Sequence, residues 1–389
     1  MGEWRMLKLQ GKLPIVKHST RPPYLVTLTR NDQLASPLRQ SSALLFQKGL
    51  DSSKFNTILL LDQVLPATPL GDQDIFQLSR EYAYLDEGDI LRVDPSSGSI
   101  RCLYRRTSPH NTILLTERCD HYCLMCSQPP IATDDSWLLD EAIALIGMIP
   151  TETEALGISG GEPTLYGKRF IELLQLIKAK LPSTALDVLS NGRAFKDMTF
   201  AKQYAEVQHP DLLIGIPVYS DDPVRHDYVV QSRGAFDDTI RGILNLKALG
   251  QRVEVRVVIS RQTIDRLVPT CEFLARNLLF VDHVALMGLE ITGFARANLD
   301  FLWVDPYEYR DVLSEAVAVL NAYGMPASVY NHQLCTVNSD IEPNYRKSIS
   351  DWKNEYLDEC HACQRQQECG GFFSSSKQYK HSAYIKAFR

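Results

Sequence analysis

Cysteine is the residue type whose spacing in this chain of 389 residues most clearly points to chemistry. Cys119, Cys123 and Cys126 form a C-x3-C-x2-C pattern, and a second group of cysteines lies near the end of the chain. The total of 9 is odd, and closely spaced cysteines in a reducing compartment more often bind metal or carry redox chemistry than form disulfides. The pattern therefore predicts metal centres.

The central pattern supplies three thiolates, which is one fewer than a closed metal site uses. A structural zinc ion takes four ligands, and so does a ferredoxin-type cluster. Three thiolates leave one coordination position open, and an open position is how a metal centre performs chemistry. His121 lies between the cysteines and is either a fourth ligand or a loop residue that faces solvent or a carboxylate.

Alternating strands and helices must position this loop. We predict strands at six short apolar runs, residues 112–116, 155–159, 185–190, 212–219, 253–260 and 283–287. Amphipathic stretches, which we predict to be helices, separate these runs. Such alternation indicates parallel βα units, and six units are too few for a full eight-fold barrel. The predicted fold class is α/β, a partial (βα)6 TIM-like barrel with its chemistry in the loops after the strands.

Two flanking segments complete the predicted organisation. Residues 1–108 consist of strands and turns without a chemical motif and form a β-rich accessory domain, and residues 109–323 form the barrel. Residues 324–389 form a cysteine-rich extension with too little apolar surface to fold without a metal. Its basic tail, residues 377–389, is expected to be a flexible end; the alternative is a site that attracts an acidic leader segment.

A second motif follows the second predicted strand. There the chain reads Gly160-Gly161-Glu162-Pro163, and glycines let a backbone approach a ligand closely. Together with the C-x3-C-x2-C loop, this sequence resembles the signatures of the radical SAM superfamily. The resemblance implies that Cys119, Cys123 and Cys126 hold a [4Fe–4S] cluster whose fourth iron is chelated by S-adenosylmethionine (SAM). An electron from the reduced cluster would then release a 5′-deoxyadenosyl radical that abstracts hydrogen from a substrate.

The resemblance also implies a set of SAM contacts. An aromatic residue usually precedes the third cysteine in this superfamily, and here that position is Met125. A thioether is also able to pack on a base. The acidic Glu162 suits the amino group of SAM. The implied SAM-binding residues are Met125, Gly160, Gly161, Glu162, Pro163, Ser190, Asn191 and Ser220. Serine and asparagine at strand ends are also ordinary caps and turn formers, so both interpretations stay open.

The second cysteine group makes a complete metal site on its own. Its members are Cys335, Cys360, Cys363 and Cys369. Spacing alone does not separate zinc from iron and sulfide. Many radical SAM enzymes that modify peptides carry an auxiliary [4Fe–4S] cluster in such an extension, so the resemblance implies this cluster, with a zinc ion as the alternative.

Within the superfamily, the chain is most similar to the His-Xaa-Ser system radical SAM maturases. The similarity lies in residues 114–130, 216–220, 287–290, 351–354 and 360–373. It implies a precursor peptide or small protein with His-Xaa-Ser repeats as substrate, an external flavodoxin- or ferredoxin-type reductant and a second maturase. The alternatives are a small metabolite or a nucleic-acid base as substrate, or a non-catalytic protein that binds an iron–sulfur cluster or zinc.

Composition limits the partners and the compartment. The chain has 41 Lys and Arg and 47 Asp and Glu, a net charge of −6, which disfavours nucleic acid as a partner. No apolar run reaches the ~18 residues of a membrane helix, and the N-terminus lacks the apolar core of a secretory signal. We therefore expect a cytoplasmic protein without a membrane partner.

Overall fold

The structure is a computed structural model that describes residues 7–61, 72–347 and 355–389. The chain separates into two compact units. The N-terminal unit comprises Leu7–Ile113 and Asp140–Leu156, and the C-terminal unit comprises Leu114–Leu139 and Gly157–Arg389. The three-segment division at residues 108 and 323 stays a prediction. Residues 351–354, which carry part of the family resemblance, lie outside the described residues.

An eight-stranded sheet forms most of the N-terminal unit, as its β-rich sequence predicted. Its strands are β1 (Gln10–Lys12), β2 (Ile15–Lys17), β3 (Tyr24–Thr29), β4 (Ser42–Phe46), β5 (Thr57–Leu60), β6 (Asp74–Gln77), β7 (Ile90–Asp94) and β8 (Ser99–Tyr104). The strand order is β1-β8-β7-β3-β4-β5-β6-β2. The pairs from β3 to β6 are parallel, and the remaining pairs are antiparallel.

Residues 10–17, which hold β1 and β2, form the two edge strands in the strand order of this sheet. Strands β1 and β2 are consecutive in sequence but pair with β8 and β6, respectively. Between them, Leu13 N–H donates to Gly98 O and Pro14 O accepts from Gln77 N–H, each at 2.9 Å. Strand β4 is buried along its whole length, as is typical of parallel strands that are covered on both faces.

A seven-stranded sheet carries the predicted α/β fold. Its strands are β9 (Asn111–Leu114), β10 (Ala155–Ser159), β11 (Ala185–Leu189), β12 (Leu212–Pro217), β13 (Arg252–Val258), β14 (His283–Met287) and β15 (Ala327–Tyr330), in the order β15-β14-β13-β12-β11-β10-β9. The pairs from β11 to β15 are parallel. The predicted fold class is confirmed. The six predicted strands are present, and a seventh, β15, extends the sheet into the expected cysteine-rich extension.

Most of the helices lie between strands of the seven-stranded sheet. The helices are α1 (Ser36–Gln40), α2 (Trp137–Ile146), α3 (Lys168–Lys180), α4 (Met198–Glu206), α5 (Pro223–Val230), α6 (Ala235–Ala248), α7 (Leu267–Asn277), α8 (Gly293–Ala297), α9 (Leu299–Leu302), α10 (Arg310–Ala322) and α11 (Ser374–Tyr379). Of these, α1 lies between β3 and β4, and α11 follows β15. Helix α3 shows why such segments fold: Phe170, Leu174 and Ile177 recur at helical spacing and are fully buried. Within the described ranges, no helix has the length and apolar character that crossing a membrane requires.

Candidate active site

The loop that carries Cys119, Cys123 and Cys126 follows β9 directly, and we call residues 115–131 the cysteine loop. Two backbone hydrogen bonds join it to the turn after β10: Gly161 N–H donates to Thr116 O at 2.7 Å, and Glu162 N–H donates to Arg118 O at 2.8 Å. The two motifs found in the sequence are therefore in direct contact. Their strands β9 and β10 are neighbours in the sheet, and Leu115 N–H just after β9 donates to Ser159 O at the end of β10 at 2.9 Å, so these two strand ends meet.

Close approach at this contact requires glycine. A Cβ atom on Gly160 would lie 2.7 Å from Thr116 O, and one on Gly161 would lie 2.1 Å from Arg118 O. Both distances are shorter than real carbon–oxygen contacts, and carbonyl oxygens of a bonded loop cannot move aside cheaply. From the sequence, we expected these glycines to let a ligand approach the backbone. In the structure, they let the backbone of the cysteine loop approach.

The cysteine loop is also held on its other sides. Tyr122 N–H donates to Val230 O at 3.0 Å, and Leu124 N–H donates to Val229 O at 2.9 Å, which ties the loop to the end of α5. Near α8, Phe294 N–H donates to Cys126 O at 2.8 Å. The positions of the three thiols are therefore fixed by the backbones of β10, α5 and α8.

Asp135 anchors the start of the cysteine loop. Its buried carboxylate accepts hydrogen bonds from the Thr116 hydroxyl at 2.9 Å and from the Glu117 N–H at 2.5 Å, and the Tyr166 hydroxyl lies 3.3 Å away. Burying a hydroxyl and an amide without an acceptor is costly, so this carboxylate stabilises the loop before the first cysteine. Nothing in the sequence pattern identified Asp135.

Replacing Asp135 by alanine should weaken the hold of the loop on a metal centre. The change leaves two buried donors unpaired, a cost of about 1–3 kcal/mol, and outer-shell changes typically lower metal affinity by about 10- to 100-fold. We expect faster transfer of iron from the anaerobically reconstituted variant to a chelator. Asp134→Ala is the matched control, because the Asp134 side chain bonds to Ser136 in an exposed turn. Equal release rates for the two variants would contradict the role of Asp135.

Glu162 bonds to two of the other predicted SAM-binding residues, Ser190 and Asn191. Its buried carboxylate accepts from the Ser190 hydroxyl at 2.8 Å, from the Asn191 N–H at 2.6 Å and from the Thr164 N–H at 3.0 Å. Burial raises the pKa of Glu162, and the hydrogen bonds from these three partners oppose that rise. Pro163 starts the short 3-10 helix that the Glu162 side chain caps.

The residues after β11 contact the cysteine loop at Asp120. Asn191 Nδ2 donates to one carboxylate oxygen of Asp120 at 2.6 Å, and Arg193 lies 3.2 Å from the other. Arg193 also pairs with Asp238 at 2.9 Å, at the start of α6. A continuous chain of polar contacts thus connects the ends of β10 and β11 with the cysteine loop. Asp120 lies between two of the motif cysteines, but sequence reasoning assigned it no role.

Met125, Tyr219 and Ser220 are buried. Met125 and Tyr219 belong to one apolar cluster with Val229 and Val230, beside Cys123. Burial is the main cause of a Tyr219 pKa well above its ordinary value, and proximity to Cys123 adds to it. Ser220 Oγ accepts from the Asp222 N–H at 3.1 Å and so shapes the turn before α5. The SAM contacts predicted for Met125 and Ser220 stay predictions.

The thiols of the cysteine loop are partly buried, and burial governs their protonation. Burial raises the pKa of Cys119 to about 12 and raises those of Cys123 and Cys126 above the ordinary thiol value. A metal centre that binds here must displace these protons, because thiolates are the ligands. Among the described residues, no three His, Cys, Asp or Glu side chains are grouped to hold a metal ion. A cubane cluster is several atoms wide, so its ligands stand farther apart than those of one ion.

Two buried histidines lie beside the site. His121 is 3% exposed, and both of its ring nitrogens lack a hydrogen-bond partner, so the sequence alternative of a solvent-facing ring is wrong. His226 Nδ1 accepts from the Tyr219 N–H at 3.2 Å. Burial lowers the pKa of each histidine to about 4. Both rings are therefore neutral at pH 7.

Buried neutral histidines predict a loss of stability in acid. Burial also lowers the pKa of His332 to about 4, against an ordinary value of 6.5. Because the unfolded chain takes up the proton first, the free energy of unfolding should fall as the pH drops from 6.5 towards 4, by about 1.4 kcal/mol per pH unit for each such ring. Urea denaturation of wild type and His332→Gln at several pH values checks this. The variant should show a shallower acid slope, and identical slopes would contradict the prediction.

The four tail cysteines meet at one place. Cys335, which follows β15, lines one pocket together with Cys360, Cys363 and Cys369. Backbone N–H groups of Leu334 and Gly371 each lie 3.4 Å from Cys369 Sγ. The four predicted ligands thus line the same pocket, and the two donors beside Cys369 Sγ suit a thiolate.

The end of the chain is packed, and the expected flexible tail is wrong. Ile385 and Phe388 line the same pocket, Ser382 is 2% exposed, and the ring of Tyr384 stacks on Tyr307 with 4.4 Å between ring centroids. The contact between Tyr384 and Tyr307 is a long-range pairing of aromatic residues, which a basic composition does not reveal.

A polar chain crosses three strands of the seven-stranded sheet and was not predicted. His283 on β14 bonds through Nδ1 to Glu254 on β13 at 2.8 Å and through Nε2 to Ser328 on β15 at 2.9 Å. Arg256 lies 3.5 Å from Glu254 on the same strand. The alternating positions of these residues along each strand place them on one face of the sheet.

Part of the chain is similar to known proteins. The model of the Radical SAM superfamily matches residues 113–274, which span the sheet from β9 to β13. No curated protein matches the chain. Among solved structures, SuiB of Streptococcus suis bound to S-adenosylmethionine has 15% identity and a TM-score of 0.46, with 62% of this chain and 53% of that chain covered.

Two other solved structures are similar at the same level. Native anSMEcpe with bound AdoMet has 13% identity and a TM-score of 0.49, with coverage of 71% of this chain and 92% of that chain. Coproporphyrinogen III oxidase (HemN) of Escherichia coli has 14% identity and a TM-score of 0.44, with coverage of 56% and 53%. The chain spans about half the length of SuiB. The match to the Radical SAM superfamily thus covers residues 113–274, which contain the cysteine loop and the Gly-Gly-Glu-Pro turn.

Proposed function

We propose that this protein cleaves SAM reductively and uses the resulting radical to modify a ribosomally made peptide or small protein. The observation that carries the proposal is the direct contact between the cysteine loop and the turn after β10, made by Gly161 N–H and Glu162 N–H. It brings an open three-thiol site and a buried carboxylate to the same edge of a parallel sheet, where α/β proteins place their ligands.

Each residue at this edge has a task in the proposal. Cys119, Cys123 and Cys126 hold a [4Fe–4S] cluster, and Glu162, Ser190 and Asn191 shape the wall on which SAM lies. When bound, the cluster and SAM supply a 5′-deoxyadenosyl radical, because one electron breaks the sulfonium C–S bond and methionine leaves. An external reductant of the flavodoxin or ferredoxin type provides that electron, and hydrogen abstraction from the substrate yields 5′-deoxyadenosine. Burial of Met125 and Tyr219 helps to exclude water from the radical.

The tail site completes the electron balance. A substrate radical that has lost a hydrogen atom becomes a closed-shell product when it gives one electron to an acceptor and releases one proton to solvent. Cys335, Cys360, Cys363 and Cys369 line one pocket, and we propose that they hold an auxiliary [4Fe–4S] cluster that supplies an acceptor for this electron. Zinc at the same four thiols would give a structural site without redox chemistry.

The substrate class follows from the sequence similarity to the His-Xaa-Ser maturases. A precursor with His-Xaa-Ser triplets is the proposed partner, with a second maturase acting on the same precursor in the cytoplasm. The test is anaerobic incubation of the reconstituted, reduced protein with SAM and a synthetic precursor of this type, followed by mass spectrometry of the peptide. We expect the precursor to lose the mass of two hydrogen atoms, and this loss should require SAM.

A matched precursor separates the alternatives. Replacing the histidines of the triplets by alanine should abolish the mass change while 5′-deoxyadenosine still forms slowly without productive substrate. An unmodified natural precursor alongside steady 5′-deoxyadenosine formation would favour a small metabolite or a nucleic-acid base as substrate. Absence of 5′-deoxyadenosine from iron-loaded, reduced protein would instead favour a non-catalytic metal-binding protein.

A further inference from the structure

The chain terminus lies against the tail cysteine site. Residues 385–388 supply one wall of the pocket that Cys335, Cys360, Cys363 and Cys369 line. The end of the chain is anchored there: Gln364 N–H donates to Phe388 O at 3.0 Å, and the Arg365 guanidinium lies over the Phe388 ring at 5.1 Å from its centroid. The terminus is therefore part of the site.

A backbone donor of this segment lies beside one of the four sulfur atoms. Phe388 N–H lies 3.4 Å from Cys363 Sγ. Together with Leu334 N–H and Gly371 N–H at Cys369, this donor gives two of the cysteines backbone hydrogen bonds.

We propose that residues 385–388 form a cap on the auxiliary cluster and that the N–H group of Phe388 raises its reduction potential. The inference rests on the proposed cluster at the four tail cysteines. A reduced cluster carries more negative charge on its sulfur ligands than an oxidised one, so an N–H dipole directed at a ligand stabilises the reduced state. Phe388 is thus a positioning residue for electron acceptance.

Proline substitution isolates the N–H group of Phe388, because proline has no backbone N–H. The variant Phe388→Pro is compared with Phe388→Ala, which loses the same side chain but keeps the donor. Both are made in the full chain with Cys119, Cys123 and Cys126 replaced by alanine, so that iron reports on the tail site alone. The measurement is a redox titration of the reconstituted protein followed by electron paramagnetic resonance.

We expect about four irons per chain in this background and a lower midpoint potential in the proline variant than in its alanine partner. Loss of the cluster from the proline variant alone would also support the cap. Equal midpoints in the two variants would overturn the inference while leaving the auxiliary cluster in place. A background protein that retains no iron would overturn both the inference and the proposed tail cluster.

Discussion

Cys123→Ala is expected to abolish 5′-deoxyadenosine formation, to the level of a mixture without protein. The Cys123 thiol is the most deeply buried of the three in the cysteine loop, and two remaining thiolates cannot hold a cubane cluster with one open iron. Iron content should fall from about eight to about four per chain, because the tail site is untouched. Product analysis by liquid chromatography and iron and sulfide assays of the reconstituted protein measure both effects.

Cys271→Ala is the matched control for this experiment. Cys271 is a fully buried cysteine on α7, outside both cysteine groups. Its loss leaves a small cavity but should preserve iron content and turnover. Turnover by Cys123→Ala at the wild-type rate would contradict the assignment of the catalytic site, and equal iron loss from both variants would show that the effect is a general folding defect.

Gly161→Ala is expected to disrupt the cysteine loop without touching a single thiol. The added Cβ would lie 2.1 Å from the Arg118 carbonyl oxygen, so the hydrogen bond from Glu162 N–H to that oxygen must lengthen or break. Overpacking of this kind costs about 1–3 kcal/mol, and the displaced loop should lose the first cluster. The measurements are iron content and thermal unfolding of the anaerobic protein.

Gly147→Ala provides a glycine control of the same chemistry. Its added Cβ would lie 3.3 Å from Ala144 O, a contact that small shifts relieve. This variant should keep about eight irons per chain. A Gly161→Ala protein with full iron and wild-type 5′-deoxyadenosine formation would show that the tight contact between the two motifs does not position the loop.

Local pattern was enough to predict the strands of the barrel-type sheet. Runs such as residues 155–159 and 283–287 are apolar, short and bounded by helical periodicity, and they coincide with β10 and β14. Strand β15 was missed because Ala327–Tyr330 has only four residues and no alternation of its own. Its position depends on parallel pairing with β14, which is a long-range property.

The candidate site shows the same division between local and long-range information. The cysteine spacing and the Gly-Gly-Glu-Pro sequence identified the two elements that the structure brings together. The partners that hold them could not be read from spacing: Asp135 reaches Thr116 across an intervening loop, and Asp120 meets Asn191 only when β11 takes its place in the sheet. Such contacts depend on how strand ends converge, which no local motif encodes.

The most direct test asks whether SAM binds the iron that the three thiols leave open. The reduced protein, with the four tail cysteines replaced by alanine, is mixed with SAM that carries a magnetic oxygen isotope in its carboxylate, and electron–nuclear double resonance is recorded. The account predicts a hyperfine coupling between this oxygen and the cluster. A reduced cluster that shows no such coupling at saturating SAM would contradict it.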